Sequence, residues 1–270
     1  WEELGKPDSE PNTHHHEKFN EYITEARRLG IKVHPPSLHK SERDCIVVNG
    51  EIWLGLAIVK NVGVQGIDAI VAERKKKKFT SLFDLCARVP AKVLPKRSID
   101  ALIAAGALDC LHDDRAQLLA SVEIAMEYGK KVADRENALQ TELFVEEISE
   151  PDYITVPPLS EEEQLNFEKQ VLGFYASGHP IETEVELVNH YGRVQLIDLQ
   201  TAKDYQVVRV AGLVEDVKVI LTRKKQQMAF VTLSDETGEI EVTAFSEAYR
   251  ENRLKLQKGD RVAVLSKNSI

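Results

Sequence analysis

The sequence is poor in cysteine, in long apolar runs and in net positive charge, and each shortage excludes something. Its three cysteines, Cys45, Cys86 and Cys110, lie far apart and form no Cys-x-x-Cys pair. That argues against a disulfide framework or a zinc site and fits a reducing, cytoplasmic setting. No apolar run is long enough to cross a membrane, and no secretory signal is visible. The formal net charge is −9 over 270 residues, which at first sight disfavours a nucleic-acid partner. The charge is unevenly placed, however. Residues 56–97 hold ten Lys or Arg against three Asp or Glu, whereas residues 134–169 hold two against eleven. A basic module followed by an acidic segment can bind phosphate locally whatever the total. With 43% hydrophobic residues there is material for packed cores, and the length suits two or three domains.

The chain is organised around Ile58 to Arg74. Ile67, Ile70 and Val71 recur at helical spacing. Before them, Asn61-Val62-Gly63 predicts a sharp turn, because glycine takes positive φ without a steric penalty and asparagine tolerates it. Such a turn is expected to point the amides of Val62, Gly63 and Val64 outward at a helix N-terminus. That is an anion site, since those donors lack intrahelical partners and the helix dipole favours negative charge. Lys60 lies beside the turn, and Lys75, Lys76, Lys77 and Lys78 follow the helix. A ligand-free helix–helix turn and a plain solvated charge run are the competing readings of these residues. The pattern then repeats. Ser81 to Val89 reads as a short amphipathic helix capped by Ser81, Pro90 and Pro95 break the connection, and Lys96 to Ala105 makes a second helix ending at Gly106. Two such hairpins packed together would form a DNA-binding module, with Lys96 and Arg97 adding charge.

The flanks are simpler. Residues 1–18, with three consecutive histidines, read as a tag remnant or disordered lead-in. Phe19 to Leu29 predicts a helix ended by Gly30, and Ile46–Val48 with Ile52–Leu54 around Asn49-Gly50 predicts a β-hairpin. Asp113 or Asp114 is expected to cap a long helix to about Asn137. The acidic stretch from Glu142 to Glu163 reads as a solvated, flexible segment. Inside it, Ser160-Glu-Glu-Glu163 opens a helix with capping-box spacing, expected to run to Tyr175 and stop at Gly178-His179-Pro180. His179 has no visible partner in the sequence and reads as structural.

From Val207 the periodicity changes to strands. Val207–Ile220, Met228–Leu233 and Glu239–Phe245 predict a three-strand meander, Ser246–Leu254 a helix, and Asp260–Leu265 a fourth strand. That order matches an OB-fold barrel lacking its fifth strand. Arg223, Lys224 and Lys225 lie in the first strand-connecting loop. Phe230 and Phe245 are either stacking rings for single-stranded nucleic acid or filling for the barrel.

These runs, in order, resemble the C-terminal half of the bacterial DNA polymerase III alpha subunit family. The resemblance is carried by Tyr22–Ile31, Pro35-Pro36, Gly55-Leu56, Val59–Gly63, Ser81–Asp84, Ala101–Asp109, Leu172–Pro180 and the OB pattern, and it covers nearly everything from Phe19 onward. It implies the end of a fingers domain over 19–54 and a tandem helix-hairpin-helix domain binding duplex DNA over 55–112. A helical connector with a sliding-clamp motif then spans 113–190, and an incomplete OB domain spans 191–270. The family's clamp motif is a glutamine, two variable residues, Leu or Met, then Phe, which Gln140, Leu143 and Phe144 fit. Two positions depart from the family. Asn61 stands where its hairpin often has glycine, and His39 where Pro-Pro is usually followed by asparagine.

The expected fold class is therefore α+β multidomain. The expected partners are duplex and single-stranded DNA, a sliding clamp and other replisome subunits, with no membrane. Nucleotidyl transfer needs carboxylates holding two metal ions. The family places these upstream, and no convincing acidic constellation replaces them here. No catalytic residue, metal or cofactor is therefore expected in this chain, magnesium belonging to the parent polymerase. Two alternatives remain: an RNA-binding OB module like the anticodon-binding domain of class II aminoacyl-tRNA synthetases, and a scaffold that binds only proteins.

Overall fold

The computed structural model describes residues 13–138, 148–182, 189, 193–201 and 206–267. It divides into two compact units, one of Gly30–Ser177 and one of Trp1–Leu29 with Gly178–Ile270. The first helix, α1 (Thr13–Arg28), belongs to the second unit and begins earlier than the apolar periodicity alone predicts.

The unit Gly30–Ser177 opens with a small sheet. Strands β1 (Val33–His34), β2 (Ile46–Val48) and β3 (Glu51–Trp53) lie in the order β1-β3-β2. The β2–β3 turn places Asn49 at φ 53° and Gly50 at φ 80°, the two positive values a type I′ hairpin needs. A 3-10 turn, Leu56–Ile58, leads into α2 (Val64–Lys76), followed by α3 (Leu82–Arg88), α4 (Lys96–Ala104), α5 (Arg115–Ala138) and α6 (Glu161–Leu172). Their apolar faces, including Ile67, Ile70, Phe83, Leu85, Ile99 and Leu102, are fully buried.

Local signals set the helix ends. Ser81 Oγ accepts from the Asp84 amide at 2.9 Å, and Asp114 Oδ1 accepts from the Ala116 amide at 2.9 Å. Ser160 and Glu163 form the reciprocal capping box. Helix α6 stops at Leu172 rather than Tyr175, because Gly173 takes the left-handed conformation (φ 89°) that closes a helix C-terminus. The chain beyond it is then held by Glu168. That buried carboxylate accepts from the Ala176 and Ser177 amides at 3.0 Å each, and from Arg115 at 3.0 Å. Helices α3 and α5 cross at Gly129, where an added Cβ would lie 2.2 Å from the Cys86 carbonyl oxygen.

Part of the acidic stretch departs from a solvated segment. Residues 148–159 have no helix or strand, yet the Tyr153 hydroxyl accepts from the Leu82 amide at 3.0 Å. The Ile154 amide donates to Ser121 Oγ at 2.8 Å. A single aromatic ring, packed on Phe83 and His112, ties down a stretch whose composition reads as mobile.

The second unit contains an antiparallel sheet of β4 (Val207–Leu221), β5 (Gln227–Asp235), β6 (Gly238–Ala244) and β7 (Arg261–Lys267), in the order β6-β5-β4-β7. Helix α7 (Ser246–Asn252) lies between β6 and β7. Strand β4 is bulged between Val214 and Asp216, which lets one long strand serve both neighbours. The core comprises Val208, Val210, Val214, Ala229, Val231 and Leu233, capped by Leu196 and Leu199. Three meandering strands, a helix and a fourth strand form an OB-fold that stays open, since β6 and β7 are the sheet edges among the described residues.

Candidate nucleic-acid interface

The first hairpin turns where its sequence requires. Asn61 carries the left-handed turn at φ 69°. Gly63 is extended, at φ −76° and ψ 149°, and serves as the N-cap of α2. Of the two residues that allow the sharp turn, Asn61 and not Gly63 takes the positive φ. Asparagine tolerates that region better than most residues.

The amide set shifts by one residue as well. The Val62 N–H donates to the Val59 carbonyl at 3.4 Å, and the first bond of α2 runs from the Ile67 amide to the Gly63 carbonyl at 3.1 Å. Between them, the amides of Gly63, Val64, Gln65 and Gly66 have no protein partner among the described residues, and the first three of these residues are exposed while Gly66 is buried. An exposed helix N-terminus with three converging N–H groups attracts an anion through both the donors and the dipole. Nothing lies within 4 Å of where a Gly63 Cβ would stand, so the approach is open.

The second hairpin abuts the first. Ser98 Oγ, in the first turn of α4, donates to the Asn61 carbonyl at 2.7 Å. An added Cβ on Gly66 would lie 2.7 Å from the Val93 carbonyl oxygen. These contacts place the first turn of α4, which carries exposed Lys96 and Arg97, against the Asn61 turn. Lys96 Nζ also donates to Glu123 at 2.6 Å, and that bond holds the ammonium above its ordinary pKa. Lys60 is exposed beside the turn, with its amide on the Val171 carbonyl at 2.9 Å.

Lys75 to Lys78 are placed elsewhere. They are exposed at the far end of α2, roughly 18 Å along the axis from Val64 at about 1.5 Å per residue. They cannot share a phosphate with the Gly63–Gln65 amides. Arg88 binds the carbonyls of Glu73 and Lys77 at 2.5 and 2.8 Å and so fixes that end of the helix. Sequence reasoning missed both Ser98 and Arg88. A serine at the third position of a helix and an arginine on a short helix carry no distinctive pattern until the partner carbonyls are in place.

In the OB unit, Arg223, Lys224 and Lys225 are exposed in the β4–β5 loop, with Lys225 at φ 59°. Phe230 lies outside the core cluster. Its neighbours Ala229 and Val231 are buried, so the period-two alternation puts Phe230 on the outer face, paired with Lys218 and Thr243. Phe245 is 69% exposed. The barrel-filling alternative is therefore set aside for both rings. The proposed clamp residues Gln140, Leu143 and Phe144 lie outside the described residues.

His179 does have a partner. It is buried, its Nδ1 accepts from the Ile181 amide at 3.2 Å, and its Nε2 lies 3.0 Å from Ser234 Oγ. Ser234 Oγ in turn donates to Glu215 at 2.7 Å. With Nδ1 accepting, Nε2 carries the proton and donates to the serine, the reverse of what a nucleophilic serine requires. The trio is a structural relay. Among the described residues no group of three His, Cys, Asp or Glu side chains is placed to hold a metal. Nor is any described helix long and apolar enough to cross a membrane.

Comparison with known proteins accounts for both modules. Residues 30–118 match the family described as "Helix-hairpin-helix motif", and residues 208–266 match "OB-fold nucleic acid binding domain". The chain is 37% identical over 245 residues to DNA polymerase III subunit alpha of Bacillus subtilis (strain 168), covering 90% of this chain and 22% of that protein. It is a relative of a segment of bacterial DNA polymerase III subunit alpha. The Thermus aquaticus protein of that name is 38% identical over 263 residues, covering 94% of this chain and 21% of that protein. The Escherichia coli (strain K12) protein is 33% identical over 258 residues, covering 93% and 22%. The chain thus spans about a fifth of the length of these relatives. The similarity runs through the helical module as well as the OB-fold, which an anticodon-binding domain alone does not explain.

Proposed function

We propose that this chain is the DNA-gripping region of a bacterial replicative polymerase. It holds duplex phosphates at the first hairpin and tethers the enzyme to its sliding clamp, and so supports processive synthesis. The observation that carries this reading is the set of three exposed, unpartnered amides at Gly63, Val64 and Gln65, flanked by Lys60, Lys96 and Arg97. Backbone amides contact phosphate without reading base edges, so the grip is independent of DNA sequence. Lys75 to Lys78, at the other end of α2, contact a separate stretch of backbone or act through the long-range field. Clamp binding is assigned to Gln140, Leu143 and Phe144 from sequence, two apolar side chains entering a pocket with an amide at its rim. The OB-fold takes the single-stranded template through Arg223, Lys224, Lys225 and Phe230. Other replisome subunits and a cytoplasmic setting follow from the role of the parent polymerase.

Nucleotidyl transfer belongs to the parent enzyme with its magnesium ions, and this chain alone is expected not to extend a primer. A salt titration with duplex, primed and single-stranded DNA tests the reading. Duplex affinity should fall linearly in log–log form, by about 0.9 per phosphate contacted. Salt-insensitive behaviour without DNA binding would favour a protein scaffold. A preference for anticodon-loop RNA over primed DNA would favour the synthetase-type module.

A further inference from the structure

The outer face of the OB sheet is divided by charge along its strands. The cross-strand register orders it into rows, counted from the β4–β5 loop. Ile220 faces Met228 in the first row, Lys218, Phe230 and Thr243 form the second, and Asp216, Thr232 and Glu241 the third. Beyond them the face closes, because Ser234 is buried under His179. Lys218, Asp216 and Glu241 are exposed, and Phe230 and Thr243 half-buried. The loop itself presents Arg223, Lys224 and Lys225. One half of the open face is thus cationic, aromatic and apolar, and the other is bounded by Asp216 and Glu241, with Glu239 exposed in the row beyond them.

We propose that the Asp216–Glu241 row is an electrostatic stop that confines a single strand to the loop-side half of this face. The inference rests on the single-strand role given above to the OB-fold. Bases stack on Phe230 while phosphates are drawn to Lys218 and the 223–225 loop. A phosphate stepping past the Phe230 row meets Asp216 and Glu241. Successive rows are about 6.8 Å apart, two residues at about 3.4 Å each. That is shorter than the Debye length of about 8 Å at physiological salt, so the carboxylates act on the aromatic row without being screened out. With the far end also closed by Ser234 and His179, the footprint falls at the small end of the roughly 4–16 nucleotides known for OB-folds.

The test uses the full chain and fluorescent oligo-dT of increasing length, read by anisotropy. The wild-type affinity gain is expected to level off after about four nucleotides. Phe230→Ala should weaken binding at least about fivefold, the loss of one stacked base. Asp216→Asn with Glu241→Gln should raise affinity, about two- to threefold per charge, and shift the plateau to longer strands. Asp216→Lys with Glu241→Lys should also steepen the salt dependence by about 1.4, for two added contacts at about 0.7 each. Glu247→Gln, on exposed α7, should change neither affinity nor plateau. If the neutral pair leaves affinity and plateau unchanged while Phe230→Ala weakens binding, the stop is refuted and the single-strand reading stands. An equal gain from Glu247→Gln also refutes it, since net charge alone would explain the effect. No loss in Phe230→Ala refutes both.

Discussion

Replacing Ser98 with alanine should weaken duplex binding although Ser98 touches no DNA in the proposed complex. Its hydroxyl is buried and donates to the Asn61 carbonyl at 2.7 Å. Asn61 is held at φ 69°, a conformation that costs a non-glycine residue roughly 1–2 kcal/mol. A buried hydrogen bond contributes a net of about 1 kcal/mol, similar to the strain it offsets. Without it, the turn that aims the Gly63–Gln65 amides is no longer the dominant state. The apparent dissociation constant scales inversely with the competent fraction, so about 1 kcal/mol becomes a loss of affinity of up to roughly fivefold. The number of phosphates contacted is unchanged, so the salt slope should stay at the wild-type value. Asn61→Gly on the Ser98→Ala background should restore binding, because glycine adopts positive φ without the Cβ penalty. The assay is duplex titration at three salt concentrations, with thermal melting to check the fold. Wild-type affinity in Ser98→Ala would falsify the coupling. A slope lowered by about 0.9 would instead make Ser98 a direct phosphate contact.

Other outcomes follow from the same contacts. Gly63→Val should fold normally, since Gly63 is extended with nothing within 4 Å of its Cβ position; a large fall in melting temperature would show that the glycine is needed for the turn after all. Glu168→Ala should destabilise the helical unit by about 1–3 kcal/mol for each buried donor left unsatisfied, because it frees the Ala176 and Ser177 amides and one Arg115 N–H, while Arg115 keeps its two bonds to Asp109; a denaturant midpoint near wild type would contradict this. Cys86, whose thiol burial pushes up to about 12, should resist alkylation at pH 8 in the native protein and react once it is unfolded. Leu143→Ala with Phe144→Ala should weaken clamp binding at least about tenfold, each side chain being worth roughly 1.5–3 kcal/mol on burial, and leave duplex binding unchanged. Unchanged clamp affinity with a lowered melting temperature would place that pair in a core instead.

What the sequence made legible was periodicity and punctuation. The OB strands could be read because apolar residues alternate along them, and the register follows once one face is buried. The helical hairpins could be read from apolar spacing between prolines and glycines. What escaped was every feature that depends on a partner distant in sequence. His179 seemed isolated because Ser234 stands 55 positions away. Tyr153 seemed to lie in a solvated acidic stretch because its anchor, the Leu82 amide, stands 71 positions away. The turn at Asn61 shows a subtler limit. Asparagine and glycine both permit positive φ, so Asn-Val-Gly predicts a sharp turn without saying which residue makes it. The choice is settled by α4, whose Ser98 takes the Asn61 carbonyl and leaves Gly63 free to cap α2. The second hairpin therefore helps to hold the turn of the first, and with it the phosphate site proposed there. A lone hairpin with the same sequence would have the same donors but nothing to hold them in place.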